Sequence, residues 1–259
     1  MAKTVSYLRR LAVPGLMACM ACITGLAASP ALAAAPFEDS IAQRTLACTA
    51  CHGPQGRAAP DGYYPRLAGK PAGYLYNQLL NFREGRRHYG LMTQLIDPLS
   101  DAYLMEIAQY FSGLEVPYPA TAANTRPPAL LQKGQRLVMR GDAARRIPAC
   151  VQCHGQAMTG VAPNIPGLLG LPRDYLNAQL GAWKAGQRRA HAPDCMSKVV
   201  SRLSLDDINA VAGWVAAQPL PANTHPASAL PALAPGATAI QCGSAPLAGA
   251  LPVAVGAGK

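Results

Sequence analysis

The chain has 259 residues and a net charge of +10, and half of its residues are hydrophobic. This hydrophobic share excludes a disordered chain, and the lack of a period-three glycine repeat excludes collagen. Only 6% of the residues are aromatic, so side chains alone would form small cores and we expect another group to complete them.

The first 33 residues have the pattern of a secretory signal peptide. Cations open the segment, residues 11–26 are uncharged and mostly apolar, and Ala31-Leu32-Ala33 fits the small-residue rule for cleavage. Two alternatives stay open. A lipid could be attached at Cys19, or the signal segment could stay uncleaved and act as a membrane anchor. The sequence therefore predicts export to the periplasm, with membrane association only if this segment is retained.

The pattern C-x-x-C-H occurs twice, at residues 48–52 and 150–154. This is the attachment sequence for c-type haem. Because residues i, i+3 and i+4 share one face of a helical turn, two thiols can bond to the haem vinyl groups while the imidazole reaches the iron. A zinc site would need further ligands at matching spacing, and a thioredoxin-like site would need alternating strands and helices around the motif.

We therefore expect two c-type haems. Each would be attached through two cysteines and bound on its proximal face by one histidine. The residues are Cys48, Cys51 and His52 for the first haem, and Cys150, Cys153 and His154 for the second.

The similarity between the two halves of the chain extends far beyond these motifs. Residues 65–71 match residues 166–172, and the pattern Tyr-Leu-x-x-Gln-Leu recurs at 74–79 and 175–180. A repeat of this kind indicates two homologous lobes. We assign the chain as follows: signal peptide 1–33, first lobe 34–118, linker 119–130, second lobe 131–218, and a Pro/Ala-rich tail 219–259.

Each lobe is predicted to be mostly α-helical. Apolar residues recur at helical spacing in residues 74–82 and again in residues 104–111. Ser100 and Ser204, each followed by acidic residues, occupy positions where a helix would begin with a cap. We expect two tandem helical lobes, each built around a covalent haem, and an irregular tail.

A sixth ligand is expected on the distal face of each iron. Among the methionines after the signal segment, only Met92 and Met196 occupy matching positions, in the loop that precedes the Leu-Ser helix start. Met105 lies at helical spacing with apolar residues and is expected in the core. His88 and His191 are competing ligands. Methionine ligation leaves no open site for a substrate and raises the reduction potential relative to two imidazoles, which favours electron transfer.

The motifs together resemble the two-haem cytochrome c4 family of bacterial class I cytochromes. The resemblance covers residues of about 37 to 218 and rests on these elements: Cys-His-Gly-Pro-Gln-Gly at 51–56, Tyr64-Pro65-Arg66-Leu67-Ala68-Gly69, the Tyr-Leu-x-x-Gln-Leu-x-x-Phe-Arg pattern at 74–83, Met92 and Leu99-Ser100. It implies two class I cytochrome c lobes related by a pseudo-twofold axis, with their haems near the lobe interface. It also implies electron transfer to terminal oxidases.

The same resemblance implies roles for the proline and leucine residues after each motif. The carbonyl groups of Pro65 and Pro166 would orient the two histidines, and Leu67 and Leu168 would pack on the haems. The sequence departs from the family pattern in its tail and in a longer loop of the second lobe, where Cys195 precedes the methionine.

Cys195 and Cys242 remain after haem attachment has used four cysteines. In an oxidising compartment two leftover thiols are most simply one disulfide. The alternative is that Cys195 binds the second iron, as in the His/Cys haem of thiosulfate dehydrogenases.

Charge is divided unevenly between the lobes. Residues 34–118 carry a net charge of −1, whereas residues 128–222 carry +6. Export and paired haem motifs argue against a nucleic-acid partner, so we expect redox proteins as partners, with the charge asymmetry able to orient docking.

Three functions stay open. The first expectation is an electron carrier without enzyme activity, between a quinol-oxidising complex or dehydrogenase as donor and a terminal oxidase as acceptor. The alternatives are a cytochrome subunit of a periplasmic dehydrogenase and a sulfur-oxidising haem enzyme.

Overall fold

The structure is a computed structural model that describes residues 38–120, 126–233 and 240–247. The expected signal peptide and Cys19 lie outside the described residues. The described helices, in chain order, are α1 Ile41–Arg44, α2 Leu46–His52, α3 Ala72–Arg83, α4 Gly90–Ile96, α5 Asp101–Ser112, α6 Pro128–Arg140, α7 Val151–His154, α8 Arg173–Lys184, α9 Cys195–Val200 and α10 Leu205–Ala216. Two short strands, β1 Gly160–Val161 and β2 Ile165–Pro166, lie between α7 and α8. The predicted mostly helical fold is confirmed.

Helices α3 and α5 pack together and form the core of the first lobe. Their buried faces carry the apolar residues that the helical spacing predicted, including Leu75, Leu104 and Phe111. Helix α5 begins where expected, because the Ser100 side chain accepts a hydrogen bond from the Tyr103 backbone N–H. Met105 also lies in this core, as predicted.

Helices α6 and α10 cross closely in the second lobe, and α8 packs against α10. Gly134 allows this crossing, because a Cβ atom there would lie only 2.1 Å from the Ala210 carbonyl oxygen. Around it the core is aliphatic, with Leu137, Val138 and Val215 buried. Packing of this lobe therefore depends on close contact between the backbones of α6 and α10, because large aromatic side chains are scarce.

A small antiparallel hairpin precedes the second proline-leucine segment. Strands β1 and β2 pair Gly160 with Pro166 and Val161 with Ile165. The tail extends this structure, because the Ala227 N–H donates to the Gly160 carbonyl and the Ala162 N–H donates to the Ala227 carbonyl. The described part of the tail forms no helix and none of the strands given above, so its predicted irregular structure is confirmed for those residues.

Within the described ranges, none of the helices is long and apolar enough to cross a bilayer.

Asp207 is a buried acid at the start of α10, with a side chain only 1% exposed. It completes a capping box with Ser204, and it forms ion pairs with Lys133 at 2.9 Å and Arg145 at 2.7 Å. Burial raises the pKa of Asp207, but the hydrogen bonds from the Ser204 backbone N–H and from the two basic side chains outweigh this effect. The net result is a pKa well below the ordinary range. This acid joins α10 to α6 and to the loop before α7.

Replacement of Asp207 by Asn is expected to reduce the free energy of unfolding by about 2 kcal/mol, because charge-assisted hydrogen bonds are lost. The pKa is lowered on folding, so the stabilisation is present above about pH 4 and is lost as the pH falls towards the folded-state pKa. Denaturant unfolding at pH 7 and pH 3 measures the difference. The matched control is Asp206→Asn, at an exposed acid of the same helix turn. Equal stability of the two variants at pH 7 would contradict the assignment.

Candidate haem sites

The first C-x-x-C-H motif forms the end of helix α2. His52 is its last residue and is buried, and its Nδ1 lies 2.8 Å from the Pro65 carbonyl oxygen. Burial lowers the pKa of His52, the hydrogen bond to Pro65 raises it, and the charge of Arg87 lowers it. A neutral imidazole that donates from Nδ1 keeps its Nε2 lone pair for a metal. Cys48 and Cys51 lie in the same helix, four residues and one residue before the histidine.

The second motif repeats this geometry. His154 ends helix α7, and its Nδ1 lies 2.8 Å from the Pro166 carbonyl oxygen. Cys150 is the N-cap of the helix, and burial raises the pKa of its thiol to about 12. In the part of the chain that the structure describes, no cluster of three or more His, Cys, Asp or Glu side chains could hold a metal ion. The zinc alternative therefore lacks its further ligands there.

One large cavity, of about 1320 Å³, receives both motifs. This exceeds the roughly 300–1,000 Å³ of an ordinary small-molecule site. Its walls are mainly apolar and come from both lobes. The haem-site residues expected from the sequence all line it: Cys48, Cys51, His52, Pro65, Leu67, Met92, Cys150, Cys153, His154, Pro166, Leu168 and Met196. The competing residues His88, His191 and Cys195 line it as well, as does Cys242.

Met92 and Met196 lie in short helices, not in the loops that the sequence predicted. Met92 is the third residue of α4 and Met196 the second of α9. Helix α9 forms because the Asp194 side chain caps it, accepting a hydrogen bond from the Ser197 N–H. Both methionines are half-buried against core residues and line the cavity.

The competing ligands occupy less favourable positions. His88 is exposed, although it lines the cavity rim. The Nε2 atom of His191 lies 3.0 Å from a guanidinium nitrogen of Arg86, which can only donate and therefore engages the imidazole lone pair. Cys195 is bonded to Cys242, so its thiolate is not free to bind iron. The predicted disulfide is confirmed.

A reciprocal polar cluster joins the two lobes beside the cavity. Arg87 donates to Gln78 of its own lobe at 3.1 Å and to Gln179 of the other lobe at 2.8 Å. Arg188 donates to Gln179 of its own lobe at 2.5 Å and to Gln78 of the other at 2.9 Å. Arg188 is only 5% exposed, so its hydrogen bonds are buried between the two lobes. The matching repeat positions of the two arginines, 101 residues apart, were the signal that could have revealed the interface.

Buried cations around the cavity lack acidic partners. Arg66, Lys70 and Arg188 are all buried, and none has an ion pair with an acid within the described ranges. Burial, together with the charge of a neighbouring arginine, lowers the pKa of Lys70 to about 7 and that of Arg188 to about 10. Asn164, on the cavity wall, has a buried side-chain oxygen without a hydrogen-bond partner.

These features fit haem. Haem supplies a large apolar surface for the cavity walls and carboxylates for the buried arginines, and buried charges require such partners. Two histidines with free Nε2 atoms and two cysteine pairs provide matching attachment and ligation chemistry.

Residues 240–247 link the two lobes, and we call them the tail strap. Its Cys242 is bonded to Cys195, with the two Cα atoms 5.0 Å apart, which is an ordinary disulfide separation. Further along, the Ala245 N–H donates to Asn77 Oδ1 at 2.8 Å, and Asn77 Nδ2 donates to Ser244 Oγ at 2.8 Å. Ala245 is buried in the first-lobe core. The strap therefore connects α9 of the second lobe to α3 of the first.

Two helical lobes, each with a C-x-x-C-H helix and a histidine hydrogen-bonded to a proline carbonyl, define a c-type cytochrome with two haems. No model of a known protein family matches the chain. It is 40% identical over 199 residues to a thiosulfate dehydrogenase electron acceptor of Thiomonas intermedia, covering 75% of this chain and 86% of that protein. It is 31% identical to cytochrome c4 of Pseudomonas aeruginosa, covering 74% of this chain and 92% of that protein.

The fold is also similar to that of reduced cytochrome c4 from Pseudomonas stutzeri. The TM-score is 0.58 at 31% identity, and the match covers 68% of this chain and 96% of that structure. The chain belongs to the cytochrome c4 family. It is an electron-transfer cytochrome with two haem c groups, one in each lobe.

Replacement of both Cys195 and Cys242 by Ser is expected to lower the free energy of unfolding by about 3 to 4 kcal/mol, because the bond closes a long loop of the unfolded chain. Changing both residues avoids a free thiol that could compete for haem. Thermal and denaturant unfolding of the holoprotein measures the loss. A thiol assay on the unreduced wild-type protein that finds both cysteines free would contradict the bond.

Proposed function

We propose that this protein is a periplasmic electron carrier that takes electrons from a respiratory donor and passes them to a terminal oxidase or another acceptor. One observation carries the proposal: in each lobe the motif histidine is hydrogen-bonded to a proline carbonyl, and both of these pairs line a single cavity that the two lobes share. Placing two redox groups in one cavity suits transfer between them. The family's periplasmic location supports the compartment.

Each side chain has a defined role in this proposal. Cys48, Cys51, Cys150 and Cys153 form the thioether bonds. His52 and His154 are the proximal ligands, and their donation from Nδ1 to Pro65 and Pro166 fixes the ring orientation and raises the basicity of Nε2. Leu67 and Leu168 pack on the haem faces.

Met92 and Met196 are the distal ligands in this proposal. A thioether ligand holds the reduction potential high and leaves no coordination position for a substrate. Helices α4 and α9 present these side chains to the cavity from matching places in the two lobes. This arrangement supports a carrier, not an enzyme.

A thiosulfate dehydrogenase is a specific candidate for the donor. The relative from Thiomonas intermedia carries the name of its electron acceptor, and the match extends over most of both chains. The uneven charge of the two lobes supports docking to a partner of opposite charge on the basic second lobe. The disulfide at Cys195 opposes a thiosulfate-oxidising haem within this chain itself.

Met92→Ala and Met196→Ala are each expected to lower the potential of one haem and to open that iron to carbon monoxide, because the thioether ligand is lost. Potentiometric titration and carbon monoxide difference spectra of the holoprotein measure both effects. The control is Met105→Ala, which removes a buried methionine and is expected to cost stability without changing either spectrum. If the control binds carbon monoxide and the two variants do not, the ligand assignment is wrong.

The donor proposal is tested by mixing the oxidised holoprotein with a purified thiosulfate dehydrogenase and thiosulfate in a stopped-flow instrument. We expect rapid reduction of the haems, followed at their visible absorption bands, and a rate that falls as salt screens the docking charges. A purified quinol-oxidising complex with quinol is the competing donor. If the quinol-oxidising complex reduces the protein and the dehydrogenase does not, the thiosulfate donor is excluded while the carrier function remains.

A further inference from the structure

Lys70 is a buried cation that reaches from one lobe to the other. It belongs to the first lobe, but its ammonium group donates at 3.0 Å to the carbonyl of Gly167 in the second lobe. Gly167 follows Pro166, whose carbonyl accepts the hydrogen bond from His154. The cation of one lobe therefore lies against the loop that holds the histidine of the other.

The repeat provides no counterpart to this cation. Gly69-Lys70-Pro71 matches Gly170-Leu171-Pro172, so the equivalent position of the second lobe holds a buried leucine. The arginines at 87 and 188, by contrast, occur in both lobes and form equivalent hydrogen bonds. Buried Arg66 also lacks a counterpart, because it matches Gly167, but its guanidinium group donates only to carbonyls of its own lobe. Lys70 is the one of these two cations whose hydrogen bond crosses to the other lobe.

The ammonium group is poorly compensated by its surroundings. Lys70 is 4% exposed, and no acid forms an ion pair with it in the described part of the chain. Its positive neighbour is Arg66, whose guanidinium group donates to backbone carbonyls of residues 68, 116 and 117. A charge in this setting is weakly screened, and its field extends to nearby groups.

We propose that Lys70 acts across the lobe interface as a positioning and tuning residue that raises the reduction potential of the second haem above the value its own lobe would give. Oxidation adds one positive charge to a haem, and a fixed cation beside the proximal loop disfavours that added charge. In the half-reduced protein the electron therefore resides more on the second haem. This inference rests on the two-haem carrier function and adds a direction of electron flow within the molecule.

Lys70→Met and Lys70→Gln test the proposal in the full holoprotein. Met removes the charge and the hydrogen bond to Gly167, whereas Gln removes the charge and keeps a donor. Potentiometric titration is done at pH 6, below the pKa of about 7 that burial gives Lys70, so that the wild-type side chain is charged. The two haems are distinguished by NMR contacts of their thioether bridges with Ala50 and with Gln152, which lie inside the two motifs.

Both variants are expected to lower the potential of the second haem and to move the electron in the half-reduced protein towards the first haem by roughly tenfold. This is the size that a unit charge acting over about 10 Å produces at an effective dielectric constant of about 20. The matched control is Leu171→Met, at the equivalent position of the other lobe, which changes no charge and should leave both potentials as in the wild type. Intact mass establishes that each variant carries two haems.

The proposal is overturned if the second haem keeps its potential in the Gln variant, since the hydrogen bond and not the charge would then be responsible. It is also overturned if the first haem shifts as much as the second. If the Met variant fails to incorporate haem, the Gln variant alone decides. The titration involves no donor protein, so its outcome is independent of the stopped-flow test of the thiosulfate dehydrogenase.

Discussion

One hydrogen bond in each lobe, from the motif histidine to a proline carbonyl, sets the geometry on which the remaining structure depends. The bond joins the end of a helix to a loop 12 or 13 residues later, and so fixes where the loop turns. Burial of the imidazole keeps it neutral, and the carbonyl fixes which nitrogen carries the proton. The helices that follow enclose a cavity whose apolar walls require a large apolar group, because aromatic side chains are too few to fill it.

The local parts of this arrangement could be predicted from the sequence. Helix periodicity predicted α3 and α5, and the serine and acid pattern predicted the caps of α5 at Ser100 and of α10 at Ser204. These signals depend on residues within one turn of each other. The count of cysteines gave the bond between Cys195 and Cys242, and repeated motifs gave the family. The assignment of the distal methionines stays a prediction.

Contacts between distant segments could not be predicted in the same way. Arg188 and Lys70 look like ordinary surface cations in the sequence, and only the approach of the two lobes buries them. Their partners lie 110 and 97 residues away, beyond the reach of any local pattern. The short helices around Met92 and Met196 were missed for a related reason, since side chains such as Asp194 stabilise helices too short to show a periodic pattern.

The tail strap has a consequence for the assembly of the protein. Cys242 is bonded to α9 of the second lobe, and the residues that follow it are hydrogen-bonded to Asn77 of the first. The four motif cysteines must stay reduced until haem is attached, while this last pair must be oxidised. We expect the folded structure to help separate these two requirements, because the strap that carries Cys242 is held by both lobes, through Cys195 of the second and Asn77 of the first. Oxidative pairing of the last two cysteines would then be favoured by tertiary structure and not by closeness in sequence.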